Sequence, residues 1–353
     1  MSSITLRLRG IMNKPGNLDL SQNMVDLGND EAPSLLIYNA ALSYAVLKSN
    51  ALVPFNPIRL WKQVTRIPAS ELGAIDTYFR KTPLFLSGEE HRTARKTLID
   101  PYKRIERSLN NWLATFTRQF FERYFRDKTS SATAIVQTYL NCVFTEILAK
   151  ELACPTFTLP VMPTGILKLI PREEGLRSFD QQLENLVNSI KSSLLAAGRN
   201  QEEAWPIASV VVMGREPLLS AFLFGLINPP SSNEPWRGEN LLRQASPISA
   251  LSREVVSDVQ IDELKLTKGQ SVRICPFIAH DQAEKNDHSA ERRRWLEFGS
   301  GSHLCPGRAI SLKITDSFFQ EFPEKKRHLI DTSGLKFSRD FLLTTKETPC
   351  TSQ

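Results

Sequence analysis

The chain has 353 residues, 41% of them hydrophobic, enough for one large domain or two small ones around a sizeable core. Its formal charge of +6 is spread out apart from Arg292-Arg293-Arg294, which supports nucleic-acid binding weakly and suits an acidic protein partner at least as well. Five scattered cysteines without paired spacing argue against a disulfide framework or a zinc cluster; with no run of roughly 18 apolar residues and no apolar leader, a cytoplasmic location is expected.

Ser34-Leu-Leu-Ile-Tyr38 reads as a strand feeding a helix through Ala45-Val-Leu47, and Val53-Pro-Phe-Asn-Pro57 as an irregular loop. From Glu106, apolar residues Leu109, Trp112, Leu113, Phe116, Phe120 and Tyr124 recur at helical spacing, and Ala132 to Leu152 forms another mostly apolar helix. Prolines 155, 160, 163 and 171 break the next apolar segment, containing Leu159, Met162 and Ile166, which could roof a pocket. Leu176, Phe179, Leu183, Leu186, Ile190 and Leu194 then define a half-buried helix that Gly198 stops.

Pro206 opens a helix running to about Ile227 that is apolar nearly all round, so it should cross the middle of the core. Within it, Met213-Gly-Arg-Glu-Pro217 places two charges and a helix breaker among apolar residues, a local conflict of the kind found at functional sites. Glu239 to Gln244 reads as a short helix, Val255 to Ile274 as short strands turning at Lys268-Gly269, and a last helix should start at Pro306.

The most informative segment is Phe298-Gly-Ser-Gly301-Ser-His303-Leu-Cys305-Pro-Gly307-Arg308. Gly299 and Gly301 permit tight turns and close approach to a flat ligand, and Pro306 suits a first helical position, which puts Cys305 at a helix N-terminus. There the dipole and unpaired N–H groups of Gly307 and Arg308 favour a thiolate, a good ligand for haem iron.

This segment resembles the haem loop of the cytochrome P450 family, Phe-x-x-Gly-x-His/Arg-x-Cys-x-Gly, at Phe298, Gly301, His303, Cys305 and Gly307. The resemblance implies a mainly α fold with small β-sheets, a single domain over residues 1–353, and haem b between the central helix and the cysteine-loop helix. It makes Cys305 the iron ligand and His303 a propionate partner. Ser87-Gly-Glu-Glu-His91-Arg-Thr-Ala-Arg95 resembles the family helix whose His and Arg hold propionates, and Ser246-Pro-Ile-Ser-Ala-Leu-Ser-Arg253 the strand whose Arg joins them. Lys265-Leu-Thr-Lys-Gly269 matches the hairpin that follows. Phe85, Met213, Arg215, Ile248 and Leu251, with Phe55 and Ile58, are expected around a mainly apolar substrate pocket.

The chain departs from the family at three places. Asn240 stands where the Glu of a bracing Glu-x-x-Arg pair is usual, leaving Glu239 to reach Arg243. The stretches from Pro217 to Asn240 and from His280 to Arg292 are short. Glu216-Pro217 replaces the family's acid and Thr, so the alcohol is lost, while a water held by Glu216 and the Met213 carbonyl could still relay protons. The resemblance implies a monooxygenase-type oxidation of a small organic molecule, with electrons from a ferredoxin or other acidic protein docked on Arg92, Lys96, Lys103, Arg107 and Arg308. Peroxide-driven or non-oxidative isomerase or dehydratase chemistry, suggested by Arg215 and Pro217, stands as the alternative, as does a degenerate haem-fold domain that recruits a partner enzyme.

Overall fold

The structure, a computed structural model of the chain, describes residues 24–27, 34–55, 67–68, 71–125, 130–155, 157, 173–230, 234–248, 250–285, 296–333, 335, 337–339 and 344–346. Ile58, Leu159, Met162, Ile166 and the Arg292 to Arg294 run lie outside these residues.

The first half begins with strands β1 (Met24–Asp26) and β2 (Ser34–Ile37), helix α1 (Ala40–Lys48) and strand β3 (Leu52–Pro54). Val53 and Pro54, expected in a loop, belong to this strand. Leu52 pairs with Val255 and Pro54 with Arg253, and β3 is an edge of its sheet, where the missing proline N–H is tolerated. Helix α2 (Gly73–Lys81) and a short turn at Pro83–Phe85 lead into α3 (Gly88–Tyr124). The His91 segment and the helix expected from Glu106 are thus one element. It runs through a buried Pro101, because a proline removes only one ladder bond while Leu98, Tyr102, Ile105, Leu109 and Leu113 all bury one stripe.

After β4 (Ser130–Ser131), helices α4 (Ala132–Glu151), α5 (Glu173–Ala196) and α6 (Ala204–Ile227) match the periodic segments of the sequence. Ser131 caps α4 through the Ala134 N–H, and Gly198, at φ +67°, ends α5 in the left-handed conformation. By length and composition α4 and α6 could each cross a membrane. They are instead the inside of the molecule: α6 packs against α3, α4 and α5, and Ile207, Val211, Ala221 and Phe222 are fully buried.

Helix α7 (Gly238–Ala245) precedes β5 (Leu251–Val255), β6 (Val259–Ile261), β7 (Leu264–Leu266) and β8 (Ser271–Ile274), then α8 (Pro276–Lys285) and α9 (Arg308–Glu321). Short pairs follow: β9 (Ile330–Asp331) runs beside β4, and β10 (Phe337–Arg339) pairs with β11 (Thr344–Lys346). The main sheet has the order β1-β2-β8-β5-β3, with β2 and β8 parallel and its other pairs antiparallel. Its side chains form a second apolar cluster with α1 and Leu296, separate from the helical core that contains α6 and α9. The segment from Leu296 to Gly307 connects the two.

Candidate active site

A largely apolar cavity lies between the two cores, walled by α6, α3, α9, the turn at Pro83–Phe85 and the segment from Pro247 to Arg253. Helix α6 presents Val210, Met213, Gly214, Pro217 and Leu218 to it, the i, i+3, i+4, i+7, i+8 pattern of one helical face. Phe85, Phe144, Ile248 and Leu251 face them from neighbouring elements. Gly214 is required by packing, since an added Cβ would meet the Phe144 ring at 3.3 Å.

The sulfur of Cys305 lies on the wall of this cavity. Its loop is closed by the Cys305 N–H donating to the Phe298 carbonyl (2.8 Å), the Gly299 N–H to Leu296 (2.9 Å) and the Arg95 guanidinium to the Leu304 carbonyl (2.5 Å). Gly299 and Gly301 have φ of +69° and +64°, and they serve the loop itself. A Cβ on Gly299 would lie 2.9 Å from the His303 carbonyl oxygen, and one on Gly301 would meet Lys48 of α1 at 3.4 Å. Gly301 therefore does not approach a ligand as expected; Gly307 does line the cavity, 3.4 Å from the Tyr102 ring and 3.8 Å from the sulfur by the same measure.

Helix α9 begins at Arg308, two residues later than expected, since its i→i+4 ladder starts with the Ser311 N–H donating to the Gly307 carbonyl (2.9 Å). Burial pushes the Cys305 thiol up, while the N–H groups of Gly307 and Arg308 and the charge of Arg95 pull the other way. The N–H groups at the helix start thus favour the thiolate, as the sequence predicts, against the larger opposing effect of burial. A cation at the sulfur reverses that balance.

Beside the sulfur, four basic side chains from three remote segments converge: His91 and Arg95 of α3, Arg253 of β5 and His303 of the loop. The rings of His91 and His303 are 4.2 Å apart. Burial, then His91, Arg253 and Arg95, push the His303 pKa down to about 3, and burial lowers Arg253 to about 10. His91 Nε2 and His303 Nδ1 are buried without a hydrogen-bond partner, and the hydrogen bond Arg253 makes is to the carbonyl of its neighbour Ser252. Uncompensated positive charge at one end of an apolar cavity with a sulfur on its wall fits a flat, apolar group that carries carboxylates and a metal.

Solved structures share this fold over almost the whole chain. P450BioI, in complex with an acyl carrier protein ligated to hexadec-9Z-enoic acid, superposes with a TM-score of 0.71 at 14% identity, covering 96% of this chain and 98% of that one. The Bacillus subtilis bacillaene polyketide synthase cytochrome P450 PksS gives 0.65 at 13% identity over 98% and 97%, and a 6-coordinated cytochrome P450 from Thermus thermophilus gives 0.63 at 15% over 96% and 98%. The chain has the cytochrome P450 fold. No protein-family profile and no curated protein sequence matches it.

Within this P450 fold, the residues expected at the site divide into two groups. His91, Arg95, Arg253, Phe298, His303, Cys305, Gly307, Phe55, Phe85, Met213, Pro217, Ile248 and Leu251 all line the cavity. Arg215 and Glu216 do not: Arg215 donates to Asn141 Oδ1 of α4 (3.0 Å) and pairs with Glu216 Oε1 (3.1 Å). Helix geometry explains this, since residues 215 and 216 are turned about 100° and 200° from Gly214, away from the cavity face. A carboxylate-holding Arg215 and a relaying Glu216 are thereby corrected to an ion pair on the α4 side of the helix.

Tyr102 and Ser209 went unnoticed in the sequence, yet they are polar groups in the apolar wall. Ser209 donates to the Pro206 carbonyl (2.7 Å), so the Tyr102 hydroxyl is the donor in their 2.9 Å contact. Tyr102 follows Arg95 by seven residues on the same face of α3, a spacing that could have flagged it. On the outer face of α3, Arg92, Lys96, Lys103 and Arg107 are exposed, and Arg308 lies 3.6 Å from Glu239. Among the described residues, no three His, Cys, Asp or Glu side chains converge as a metal cluster.

Proposed function

We propose that the chain, as one domain over residues 1–353, is a haem-thiolate oxidoreductase that oxidises a small organic molecule in specialised metabolism. The observation that carries this reading is Cys305 on an apolar cavity beside Arg95, Arg253 and the buried ring nitrogens of His91 and His303 that have no partner in the protein. Cys305 would ligate the iron of haem b, and the four basic groups would hold its propionates. When bound, the haem supplies the centre at which dioxygen or peroxide is activated, with electron density donated by the thiolate.

The protein's own residues orient and shield. Phe85, Met213, Ile248 and Leu251 offer apolar surface that binds the substrate body and excludes water, and Gly214 leaves room beside the central helix. The exposed basic residues of α3 suit an acidic electron donor such as a ferredoxin, and a cytoplasmic setting accords with such a partner.

One observation favours a second reading, in which the oxidant is peroxide or the reaction is a non-oxidative isomerisation or dehydration. The cavity face of α6 carries Pro217 where a hydroxyl would deliver a proton, and Glu216 is turned away toward Arg215. Carbon-monoxide difference spectroscopy on the reduced, haem-loaded protein tests thiolate ligation, expected as a strongly red-shifted Soret band. Turnover with dioxygen plus a ferredoxin system, against peroxide alone, separates the two chemistries. Absence of the thiolate band in haem-saturated protein refutes both.

A further inference from the structure

The loop that carries Cys305 is rooted by a buried histidine–carboxylate contact that the chemistry above does not use. Glu297, directly before Phe298, is buried with 6% of its surface exposed, and so is His280 of α8. His280 Nδ1 lies 3.0 Å from Glu297 Oε1, a close contact without hydrogen-bond alignment, and neither ring nitrogen nor either carboxylate oxygen has a hydrogen-bond partner. A pair of this kind adds little net stability over apolar side chains of the same size, so its presence calls for a reason in the geometry it imposes.

That reason is where Glu297 stands. Leu296, before it, is buried in the sheet cluster, and Phe298, after it, packs against the helical core. The flanking Leu296 and Phe298 side chains pack mainly through nonpolar contacts, which set little direction at this end of the loop, while Arg95 of α3 holds its far end at the Leu304 carbonyl (2.5 Å). The Phe298 carbonyl then accepts from Cys305, which means that rotation at residues 297 and 298 is transmitted directly to the cysteine. His280 comes from a helix that packs on α1 and α7, outside the loop, so its contact with Glu297 fixes the loop's direction relative to the body of the protein.

We propose that the His280–Glu297 pair is the positioning element of the cysteine loop, setting where the Cys305 sulfur meets the iron. The inference rests on the haem-thiolate reading for its consequence but not for its geometry. The test therefore reads the loop with and without haem, in Glu297→Gln, His280→Gln and the reversed pair His280→Glu with Glu297→His. Amide hydrogen exchange over 296–308 in the haem-free protein is expected to quicken about tenfold or more in each single variant, with exchange in α4 and α6 unchanged and protection substantially restored in the reversed pair. In the haem-loaded single variants, a fraction of the carbon-monoxide complex should lose the thiolate band, and the reversed pair should recover it. Loop exchange unchanged in both single variants overturns the proposal, and so does quickened exchange spread equally over α4 and α6. A single variant that fails to fold leaves the reversed pair as the arbiter: a reversed pair that folds without loop protection also overturns it. Loss of the thiolate band in the unaltered protein would sink the haem-thiolate reading alone, because the exchange experiment does not depend on it.

Discussion

Replacing Arg253 with methionine should raise the stability of the haem-free protein and lower its affinity for haem. The guanidinium is 4% exposed, its hydrogen bond goes to the adjacent Ser252 carbonyl, and burial alone brings its pKa to about 10. At about 1.4 kcal/mol for each tenfold, holding that charge inside at neutral pH costs roughly 3 kcal/mol of folding stability. Methionine keeps an unbranched stem of similar reach, and the Ser252 carbonyl still accepts from the Phe55 N–H at 3.3 Å, so no new orphan is created. Urea unfolding of the haem-free variant should move to a higher midpoint, by about 1–3 kcal/mol after some water reaches the site. The sign follows from a folded pKa below the unfolded one: the cost is complete below about pH 10 and fades above it, so the gain should shrink in alkaline buffer. With haem the sign inverts, since a carboxylate loses a buried partner at about 2–5 kcal/mol, roughly a thirtyfold weaker affinity or more. A haem-free variant less stable than its parent, with haem retention unchanged, would refute the reasoning that these residues are assembled to hold a carboxylate.

Cys305→Ala should abolish the thiolate spectrum, whereas alanine at Cys142, Cys154 or Cys275 should leave it intact; absorption spectra of the reduced carbon-monoxide complexes decide. Arg215→Ala and Glu216→Gln should leave the substrate-induced spin shift and the product yield nearly unchanged, because Arg215 bonds Asn141 of α4 and Glu216 pairs with Arg215, off the cavity face; strongly slowed turnover in Glu216→Gln would mean that the carboxylate reaches the cavity after all. Ser209→Ala should remove the acceptor of the buried Tyr102 hydroxyl and cost about 1–3 kcal/mol in thermal or urea unfolding, with an intact midpoint pointing to a substitute water. Gly225→Ala should cost a similar 1–3 kcal/mol, as its Cβ would lie 2.6 Å from the Phe319 ring and 2.9 Å from Leu241; calorimetry checks it.

What the sequence made legible was local. The spacing from Phe298 to Gly307 announced the cysteine loop, and apolar periodicity located α5 and α6 to within a few residues of their observed ends. The helix through Pro101 was hidden because a proline is a strong local signal whose single lost bond is outweighed by tertiary burial along the whole stripe. The direction of Arg215 and Glu216 was misjudged because the pattern at Met213 to Pro217 was read as a motif rather than projected onto a helical face. Convergence was the least legible property. That Arg253 of β5 meets His91 of α3, or His280 meets Glu297, depends on how the sheet and the helical core are set against each other, and no spacing within one segment encodes it.

The short link between α6 and α7 bears on how the cavity walls are held, through the end of the central helix. The last carbonyls of a helix need donors, and a chain with few residues to spare must find them in side chains. Here the Trp236 indole donates to the carbonyls of Gly225 (3.2 Å) and Asn228 (2.9 Å), Arg327 donates to Leu226 (2.9 Å), and Asn228 closes onto Phe224 (3.0 Å). Trp236 is itself buried, and two residues later the Gly238 N–H donates to Asp316 of α9 (2.6 Å), with no room for a Cβ beside the Leu312 carbonyl. The link thus ties the end of α6 to α7 and α9 within a few residues, so the helix that walls the cavity and the helix that follows Cys305 are held to one frame.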